Sequence, residues 1–435
     1  MYKVGLYTLG CKVSSYETEA VGEEFQRAGF AISDFGDVCD VYVINTCTVT
    51  AESDAKSRKY IRRAIRTNPD AVVIVMGCYS QLSPEEVSKI EGVSIVIGTK
   101  DKLSAVEKAL KLLSERESGQ IVSVGTLEGE GFENMKISRA PRTRGYVKIE
   151  DGCECKCTYC AISAARGPVR SKRPEHVIEE IKALYEGGTR EIVLTGIETG
   201  SYGADFEEKY DLADLLCELD RRHLCDRIRL GSMAPELLSE KFITRVGRLS
   251  ILVPHFHISM QSGSSSVLRE MKRRYTREKA LENIKRIREY MPRVMLTADL
   301  MVGFPGESED DFSDTLSFVR EAMLLDAHVF AYSRRKGTPA AERQDQVPDE
   351  IKKERSARLI AEKNKVRDEV LSEVVREGRA LKTVFETKKG NGYIGHSDSY
   401  IEVYSESGKD IRGEIVNVIP THHENGILFG KIQEF

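Results

Sequence analysis

The sequence lacks three features, each of which would define a class of protein. No stretch approaches the roughly 20 consecutive apolar residues that span a bilayer, so we expect no membrane attachment. The residues from Met1 to Leu9 contain no basic segment followed by an apolar run, so we expect no secretion signal. The net charge is only −4, from 65 basic and 69 acidic residues, which argues against a protein that coats nucleic acid through bulk charge. These absences predict an ordinary cytoplasmic protein.

The ten cysteines stand out against this background. In a reducing compartment, cysteines bind metal or take part in catalysis more often than they form disulfides. A chain of 435 residues is also too long for a single core and should divide into two to four domains. We therefore expect a protein of several domains in which some cysteines hold metal.

The pattern of apolar residues predicts an α/β fold in three parts. Residues 1–118 alternate between strands and helices, which predicts a doubly wound parallel sheet. Residues 119–140 are predicted to be a linker because glycines recur there. Residues 141–372 show six further strand and helix units, typical of an open or partial (βα)6 barrel, and end in a long amphipathic helix from Asp349 to about Glu377. Residues 373–435 predict a small all-β barrel.

Three cysteines, Cys153, Cys157 and Cys160, lie in a loop just after a predicted strand. A [4Fe–4S] cluster normally takes four cysteine ligands, so three ligands leave one iron open to bind a small molecule. An open coordination position is typical of catalytic metal sites rather than structural ones. The alternative is a structural zinc site, which would need a fourth ligand such as Cys155. The loop therefore predicts a cluster that takes part in catalysis.

Three other cysteines, Cys11, Cys47 and Cys78, are far apart in sequence, but each follows a predicted strand. Because the carboxyl ends of parallel strands meet at one edge of a sheet, where ligands bind, we expect these cysteines to lie close together. Gly10 and Gly77 would let the backbone approach a bulky inorganic group. The alternative is three buried core cysteines, which are common. No such placement is seen for Cys39, Cys217 and Cys225.

Glycine-rich turns follow several strands of the predicted barrel. A single turn of this kind is a weak signal, but their shared position at the carboxyl edge favours a site for a nucleotide-like ligand. The residues predicted to contact that ligand are Gly196, Glu198, Thr199, Ser232, Gln261 and Gly303.

Local basic clusters could contact phosphate even though the whole chain is slightly acidic. One of them is Arg166, Arg170, Lys172 and Arg173, and the other interpretation of such a cluster is a solvated surface.

The two cysteine triads carry a family resemblance. The loop triad reproduces the radical S-adenosylmethionine signature, and with the second triad the chain resembles the methylthiotransferase family over essentially its whole length. The segments Gln261–Gly263 and Gly303–Glu307 also resemble motifs of that family. Leu9–Val13, Asn45–Thr50 and Thr195–Gly200 look most like the enzymes that act on N6-threonylcarbamoyladenosine in tRNA.

The resemblance implies two [4Fe–4S] clusters and S-adenosylmethionine as cofactors. The loop cysteines would hold the radical cluster, which cleaves S-adenosylmethionine reductively to a 5′-deoxyadenosyl radical. The triad Cys11, Cys47 and Cys78 would hold an auxiliary cluster that carries the sulfur to be methylated and delivered. The implied reaction adds a methylthio group to C2 of the modified adenosine at position 37 of tRNA. The terminal barrel, called TRAM in this family, would contact RNA.

The implied partners are the anticodon stem-loop of tRNA, a low-potential electron donor such as flavodoxin or ferredoxin, and a sulfur donor. Recognition of a single-stranded loop uses stacking on aromatic rings and contacts to phosphate. Candidates for these contacts are Arg334, Arg335, Lys336, Tyr393 and Tyr400.

Two catalytic alternatives share all six cysteines. They are methylthiolation of N6-isopentenyladenosine in tRNA and methylthiolation of an aspartate in a ribosomal protein. A non-enzymatic alternative is an iron–sulfur protein that only binds RNA. That alternative gives no reason for two triads that each leave an iron open.

Overall fold

The computed structural model describes residues 1–115, 119–140 and 142–433. The predicted boundaries at residues 118 and 141 lie outside the described residues. The chain forms two compact units. The first comprises Met1–Ile137, Lys148–His176 and Ser333–Ala341, and the second comprises Ser138–Val147, Val177–Tyr332 and Glu342–Phe435. All six cysteines of the two predicted triads belong to the first unit.

A parallel sheet with helices between its strands forms most of the first unit. Its strands are β1 (Lys3–Thr8), β2 (Ala31–Ser33), β3 (Val41–Thr46), β4 (Val72–Gly77), β5 (Ile95–Ile97) and β6 (Ile121–Ser123). The helices are α1 (Lys12–Arg27), α2 (Ala51–Thr67), α3 (Cys78–Leu82), α4 (Pro84–Ser88) and α5 (Ala105–Glu115). The strand order is β2-β1-β3-β4-β5-β6, and every pairing is parallel. The predicted parallel α/β domain is confirmed.

The central strands of this sheet are apolar because both of their faces are covered. Every residue of β3 and β4 is buried. On one face, Tyr42 of β3 and Val73 of β4 belong to the same core cluster as Ile61 and Ala64 of α2. This packing fixes the level at which β3 and β4 end, and therefore the position of the cysteines that follow them.

The predicted six strand positions of the barrel are all present. The strands in this part of the chain are β7 (Arg144–Lys148), β8 (Glu150–Asp151), β9 (Arg170–Ser171), β10 (Glu191–Thr195), β11 (Arg227–Leu230), β12 (Ser232–Met233), β13 (His255–Gln261), β14 (Met295–Val302) and β15 (Asp326–Ala331). One sheet has the order β11-β10-β7, and another has the order β12-β13-β14-β15. Only Gly231 separates β11 from β12, so the two sheets share one run of chain.

Helices alternate with these strands. They are α6 (Ile162–Arg166), α7 (Pro174–Glu186), α8 (Leu212–Arg222), α9 (Glu240–Val246), α10 (Ser265–Glu270), α11 (Arg277–Tyr290), α12 (Glu309–Glu321), α13 (Pro339–Glu342) and α14 (Asp349–Glu377). The bounds of α14 are those predicted. It ends at Gly378, whose φ of +61° is the left-handed conformation that commonly terminates helices.

The terminal barrel is closed. Its strands are β16 (Leu381–Lys389), β17 (Gly392–Ser397), β18 (Glu402–Glu406), β19 (Ile415–Glu424) and β20 (Ile427–Ile432). They are arranged as β16-β17-β18-β20-β19, and β19 pairs again with β16. Its strands contain fully buried apolar side chains, which include Val384, Phe385, Val403, Val418 and Leu428. The predicted small all-β barrel is confirmed.

The segment predicted as a linker is more ordered than its glycine content indicates. Residues 121–123 form β6 at the edge of the first sheet, paired in parallel with β5. Farther along, Leu127, Met135 and Ile137 are buried. Residues 119–137 are therefore part of the first compact unit, whereas residues 138–140 belong to the second. No helix among the described parts of the chain combines the length and the apolar character needed to cross a membrane.

Candidate functional site

The structure brings Cys11, Cys47 and Cys78 to one edge of the first sheet. They follow β1, β3 and β4, which are neighbours and end level with one another. In sheets with this strand order, the ligand crevice lies outside the carboxyl ends of β1 and β3, where the strand order reverses. Cys11 and Cys47 flank that point, and Cys78 begins the helix after the next strand.

Two glycines allow the segments that carry these cysteines to approach one another. A Cβ atom on Gly10 would lie 3.0 Å from the Cβ and 3.2 Å from the Sγ of Cys47. A Cβ atom on Gly77 would lie 2.4 Å from the side-chain oxygen of Asn45 and 2.6 Å from the carbonyl oxygen of Thr46. Both glycines have a positive φ that other residues rarely adopt. Gly10 and Gly77 therefore allow close packing between the segments that carry the cysteines, and their predicted approach to an inorganic group stays a prediction.

Cys11 acts electrostatically on the other two thiols. Burial raises the pKa of the Cys47 thiol, and the nearby Cys11 raises it further. Burial raises the pKa of Cys78 to about 11, and Cys11 again acts in the same direction, whereas Arg166 opposes it. Because metal ligands must be thiolates, binding a metal group here releases protons. Three soft sulfur donors at one edge of a sheet are the type of ligand that an iron–sulfur cluster takes.

The loop triad, Cys153, Cys157 and Cys160, lies in a loop whose two ends are paired. The short strands β8 and β9 pair in antiparallel fashion and close the loop of residues 152–169. At its start the N–H of Cys153 donates to the carbonyl oxygen of Gly167 at 3.0 Å, and the N–H of Cys160 donates to that of Cys157 at 3.1 Å. Cys157 is buried, whereas Cys153 and Cys160 are partly exposed.

Backbone N–H groups point at cysteine sulfurs in both triads. The N–H of Cys155 lies 3.5 Å from Sγ of Cys153, and the N–H of Ile162 lies 3.4 Å from Sγ of Cys160. In the triad of Cys11, Cys47 and Cys78, the N–H of Val49 lies 3.5 Å from Sγ of Cys47. Hydrogen bonds to sulfur are one of the means by which proteins set the potential of iron–sulfur clusters. This donor pattern fits clusters at both triads and gives Cys155 a backbone role.

Gly152 is the residue on which the geometry of the loop depends most directly. Its φ is +94°, and a Cβ atom there would lie 1.9 Å from the carbonyl oxygen of Pro168. We expect Gly152→Ala to displace Cys153 and to halve the iron bound per chain after anaerobic reconstitution. The matched control is Gly188→Ala, because Gly188 has a φ of +97° with no atom within 4 Å of the added Cβ. Equal iron contents in the two variants would show that the close approach at Gly152 is unnecessary.

A buried network of charges joins elements of the first unit. The Arg166 guanidinium donates to Glu17 at 2.5 and 3.2 Å and to Asp151 at 3.2 and 3.4 Å. The Lys148 ammonium donates to Glu17 at 2.8 Å and to Asp151 at 2.6 Å. Lys102 pairs with Glu17 at 3.2 Å. None of these five side chains is more than 5% exposed, so the network is internal.

The carboxylates of this network are held in the ionised state. Burial by itself would raise the pKa of Glu17, but Arg166, Lys102 and Lys148 outweigh it and hold that pKa well below the usual range. Burial would also raise the pKa of Asp151, but Lys148 and Arg166 outweigh it and lower that pKa to about 2. Sequence reasoning missed this network and grouped Arg166 with a basic cluster. In the structure Arg166, Arg170 and Lys172 are buried, so they do not form a surface for phosphate.

The residues predicted to contact RNA differ in what they offer. Arg334 and Lys336 are exposed. Arg335 instead donates to Asp54 at 2.8 Å and to the Thr48 hydroxyl, so its guanidinium holds the segment that follows Cys47.

Neither predicted tyrosine presents a free ring face. Tyr393 on β17 is only 3% exposed. Tyr400 stacks on the rings of His255 and His396, with centroid separations of 4.6 and 4.9 Å, and the Arg229 guanidinium lies 4.9 Å from its centroid. These positions go against the predicted base stacking, because the Tyr393 ring is buried and the Tyr400 ring already stacks on two histidines.

The residues predicted to contact a nucleotide-like ligand lie in the second unit along neighbouring strands. Glu198 and Thr199 are buried after β10, Ser232 begins β12, and Gln261 ends β13 with a φ of +68°. The Thr199 hydroxyl is buried and makes no hydrogen bond to any described residue, as expected of a group that awaits a ligand. Gly196 lies in the turn that follows β10.

The side of Gly303 on which a Cβ atom would lie is occupied by another residue. Gly303 follows β14 with a φ of +71°, and a Cβ atom there would lie 2.3 Å from Cγ of Lys352. The space beside this glycine is therefore filled by a side chain of α14. The N–H of Gly303 donates to the Glu307 carboxylate at 2.9 Å, and Arg355 pairs with that carboxylate at 2.7 Å.

A row of polar side chains crosses β13, β14 and β15 in the second unit. The Thr297 hydroxyl lies 3.0 Å from a ring nitrogen of His255 and 2.8 Å from one of His257. Asp299 pairs with His257 at 3.2 Å and with His328 at 3.1 Å. Burial would raise the pKa of Asp299, but these two histidines hold it below its usual range. His255 and His257 are two residues apart on β13, so both side chains lie on the same face of that strand.

Comparisons with known proteins give the context for this geometry. The family model described as "Radical SAM superfamily" matches residues 147–319, and the one described as "Uncharacterized protein family UPF0004" matches residues 3–98. Among solved structures, the radical S-adenosylmethionine methyltransferase TsrM from Kitasatospora setae aligns over 78% of this chain and 77% of its own, with a TM-score of 0.59 and 16% identity. At that identity the likeness shows the fold alone.

Relatives in sequence extend over nearly the whole chain. The "Threonylcarbamoyladenosine tRNA methylthiotransferase MtaB" of Bacillus subtilis is 42% identical over 96% of this chain and 93% of its own length. The MtaB protein of Aquifex aeolicus is 35% identical over 96% of this chain and all of its own. The "tRNA-2-methylthio-N(6)-dimethylallyladenosine synthase" of Bacillus subtilis is 34% identical over 96% and 83%. With its two cysteine triads and its terminal barrel, the chain belongs to the radical S-adenosylmethionine methylthiotransferase family.

Proposed function

We propose that this protein adds a methylthio group to C2 of N6-threonylcarbamoyladenosine at position 37 of tRNA. The observation that carries the proposal is a comparison of two relatives from one organism. The chain is 42% identical to the Bacillus subtilis protein named for threonylcarbamoyladenosine and 34% identical to the one named for dimethylallyladenosine. The isopentenyl-type substrate is therefore the second candidate.

The two cysteine triads supply the cofactor sites of the proposed reaction. Cys153, Cys157 and Cys160 hold the radical [4Fe–4S] cluster, and Cys11, Cys47 and Cys78 hold the auxiliary one. When bound, these clusters and S-adenosylmethionine supply the electron, the radical and the methylthio group that an unreactive C2–H bond requires. The chain itself orients the ligand sulfurs through backbone N–H groups and keeps Cys78 and Cys157 away from water.

The second unit supplies polar groups for binding. Glu198, Thr199, Ser232 and Gln261 are the proposed contacts of S-adenosylmethionine. The unpartnered Thr199 hydroxyl supports this assignment. Glu198 already accepts the N–H of Ala234 at 3.0 Å, so its carboxylate is fixed in place.

The proposed reaction defines the partners. Its substrate is the anticodon stem-loop of tRNA, and Arg334 and Lys336 are the proposed contacts of its phosphates, which their exposure supports. Reductive cleavage needs a low-potential electron donor such as flavodoxin or ferredoxin. A sulfur donor must replace the sulfur delivered in each turnover. We place this activity in the cytoplasm, where tRNA is modified.

Nucleoside mass spectrometry tests the proposal. We expect expression of this chain, in bacterial cells that lack their own tRNA methylthiotransferases, to produce 2-methylthio-N6-threonylcarbamoyladenosine in digested tRNA. The control is the same chain with Cys153, Cys157 and Cys160 replaced by alanine. Appearance of the 2-methylthio isopentenyl nucleoside alone would establish the second candidate. No methylthio nucleoside from a chain with about eight irons would contradict both.

A further inference from the structure

Arg166 contacts a cysteine that the proposed function assigns to the auxiliary cluster. Its Nε lies 3.2 Å from Sγ of Cys78, and its side chain is completely buried. Arg166 is the last residue of α6, which follows the loop that carries Cys153, Cys157 and Cys160. A residue from the radical-cluster loop therefore reaches a ligand position of the other triad.

The orientation of this guanidinium is fixed by its other donors. Both terminal nitrogens donate to the Glu17 carboxylate, and one of them also donates to Asp151. A planar guanidinium held in this two-pronged way has only its Nε edge left to turn elsewhere. That edge faces the sulfur of Cys78. The contact between Arg166 and Cys78 therefore follows from the hydrogen bonds that fix the guanidinium.

The charge of the network also calls for an anion at this place. The ion pairs of the network join four cations, Arg166, Lys148, Lys102 and Arg170, to two anions, Glu17 and Asp151, so four minus two leaves two positive charges. An uncompensated buried charge is costly, and an adjacent thiolate reduces that cost. Cys78 is the sulfur within hydrogen-bonding distance of the network.

We propose that Arg166 donates an N–H···S hydrogen bond to Cys78 as a ligand of the auxiliary cluster, and by doing so raises the reduction potential of that cluster. A hydrogen bond and a positive charge both stabilise the more negative, reduced state of a cluster. Arg166 is in this sense a positioning residue, which acts through Cys78. The inference rests on the proposed function, because it assumes a cluster at the Cys11, Cys47 and Cys78 triad.

The test measures the auxiliary cluster by itself. The reference is the full chain with Cys153, Cys157 and Cys160 replaced by alanine, so that only the auxiliary cluster is present. A potentiometric titration followed by electron paramagnetic resonance gives its midpoint potential. In this background we expect Arg166→Gln to lower the ratio of reduced to oxidised cluster about tenfold at a fixed potential, which corresponds to about 59 mV for one electron.

The control variant separates the hydrogen bond from the charge. Lys102→Met removes one cation from the same network without touching Cys78. We expect it to shift the midpoint potential by clearly less than Arg166→Gln does. An equal shift in the two variants, or no shift in a folded Arg166→Gln chain with its full iron content, would overturn the proposed hydrogen bond.

A second measurement is made on a chain that retains Arg166, so it does not depend on whether a substituted chain folds. In the same three-alanine reference chain, labelled with 15N-arginine, pulsed electron paramagnetic resonance should detect a nitrogen coupled to the reduced cluster. We expect Arg166→Lys to abolish that coupling. A cluster signal without coupling in the reference chain contradicts this inference alone. The absence of any cluster contradicts the cofactor assignment on which the proposed function stands.

Discussion

Alanine at Cys11, Cys47 and Cys78 together is expected to abolish methylthio transfer while reductive cleavage of S-adenosylmethionine continues. The three sulfurs lie at the carboxyl ends of β1, β3 and β4, outside the loop of residues 152–169 that carries the proposed ligands of the radical cluster. Losing them removes one cluster and leaves the other ligand set intact. The iron content should fall from about eight to about four per chain. Nucleoside mass spectrometry measures the transfer, and release of 5′-deoxyadenosine measures the cleavage.

Cys217 and Cys225 provide the matched control for this experiment. Both are free thiols outside the two triads, one partly buried on α8 and the other buried before β11. The double variant Cys217→Ala, Cys225→Ala should keep both activities and all of the iron. Loss of S-adenosylmethionine cleavage in the first variant, with its radical cluster still assembled, would contradict a division of labour between the two triads.

The edge of the first sheet could be predicted because its signals are local. Apolar runs such as Val72–Met76 are typical of strands buried on both faces. Each run ends near a cysteine, and parallel strands present their carboxyl ends on the same side. Nothing beyond these two facts is needed to expect that Cys11, Cys47 and Cys78 lie near one another.

The buried charges could not be predicted because they depend on long-range pairing. Glu17 lies in the middle of α1, where a glutamate normally faces water. Its partners Arg166 and Lys148 are more than 130 residues away, and their spacing carries no period that a helix or strand would impose. Arg166 was grouped with its basic neighbours because composition cannot distinguish a solvated cluster from charges that are paired inside the protein.

The same limit explains the tyrosines and the segment predicted as a linker. Tyr400 has a φ of +70° and is held between two histidine rings, an arrangement set by the tertiary fold. Glycines in residues 119–140 indicated an unstructured connection, yet β6 is only three residues long and takes its stability from the strand beside it. Elements of this size are defined by their partners rather than by their own sequence.

Glu17→Gln is expected to destabilise the first unit by about 3–5 kcal/mol, because it leaves Arg166, Lys148 and Lys102 buried with one carboxylate. Native-state hydrogen exchange of α1 measures this loss locally. The pKa of Glu17 is held well below its ordinary value of 4.5, so its stabilisation is complete above that pH and is lost as the pH falls toward the folded pKa. The difference between the two proteins should therefore shrink below about pH 4.5. Glu24→Gln on the same helix, which removes a partly exposed pair with Arg27, should change stability by about 1 kcal/mol or less. Equal stabilities of the Glu17 and Glu24 variants at neutral pH would show that the buried carboxylate does not hold the network together.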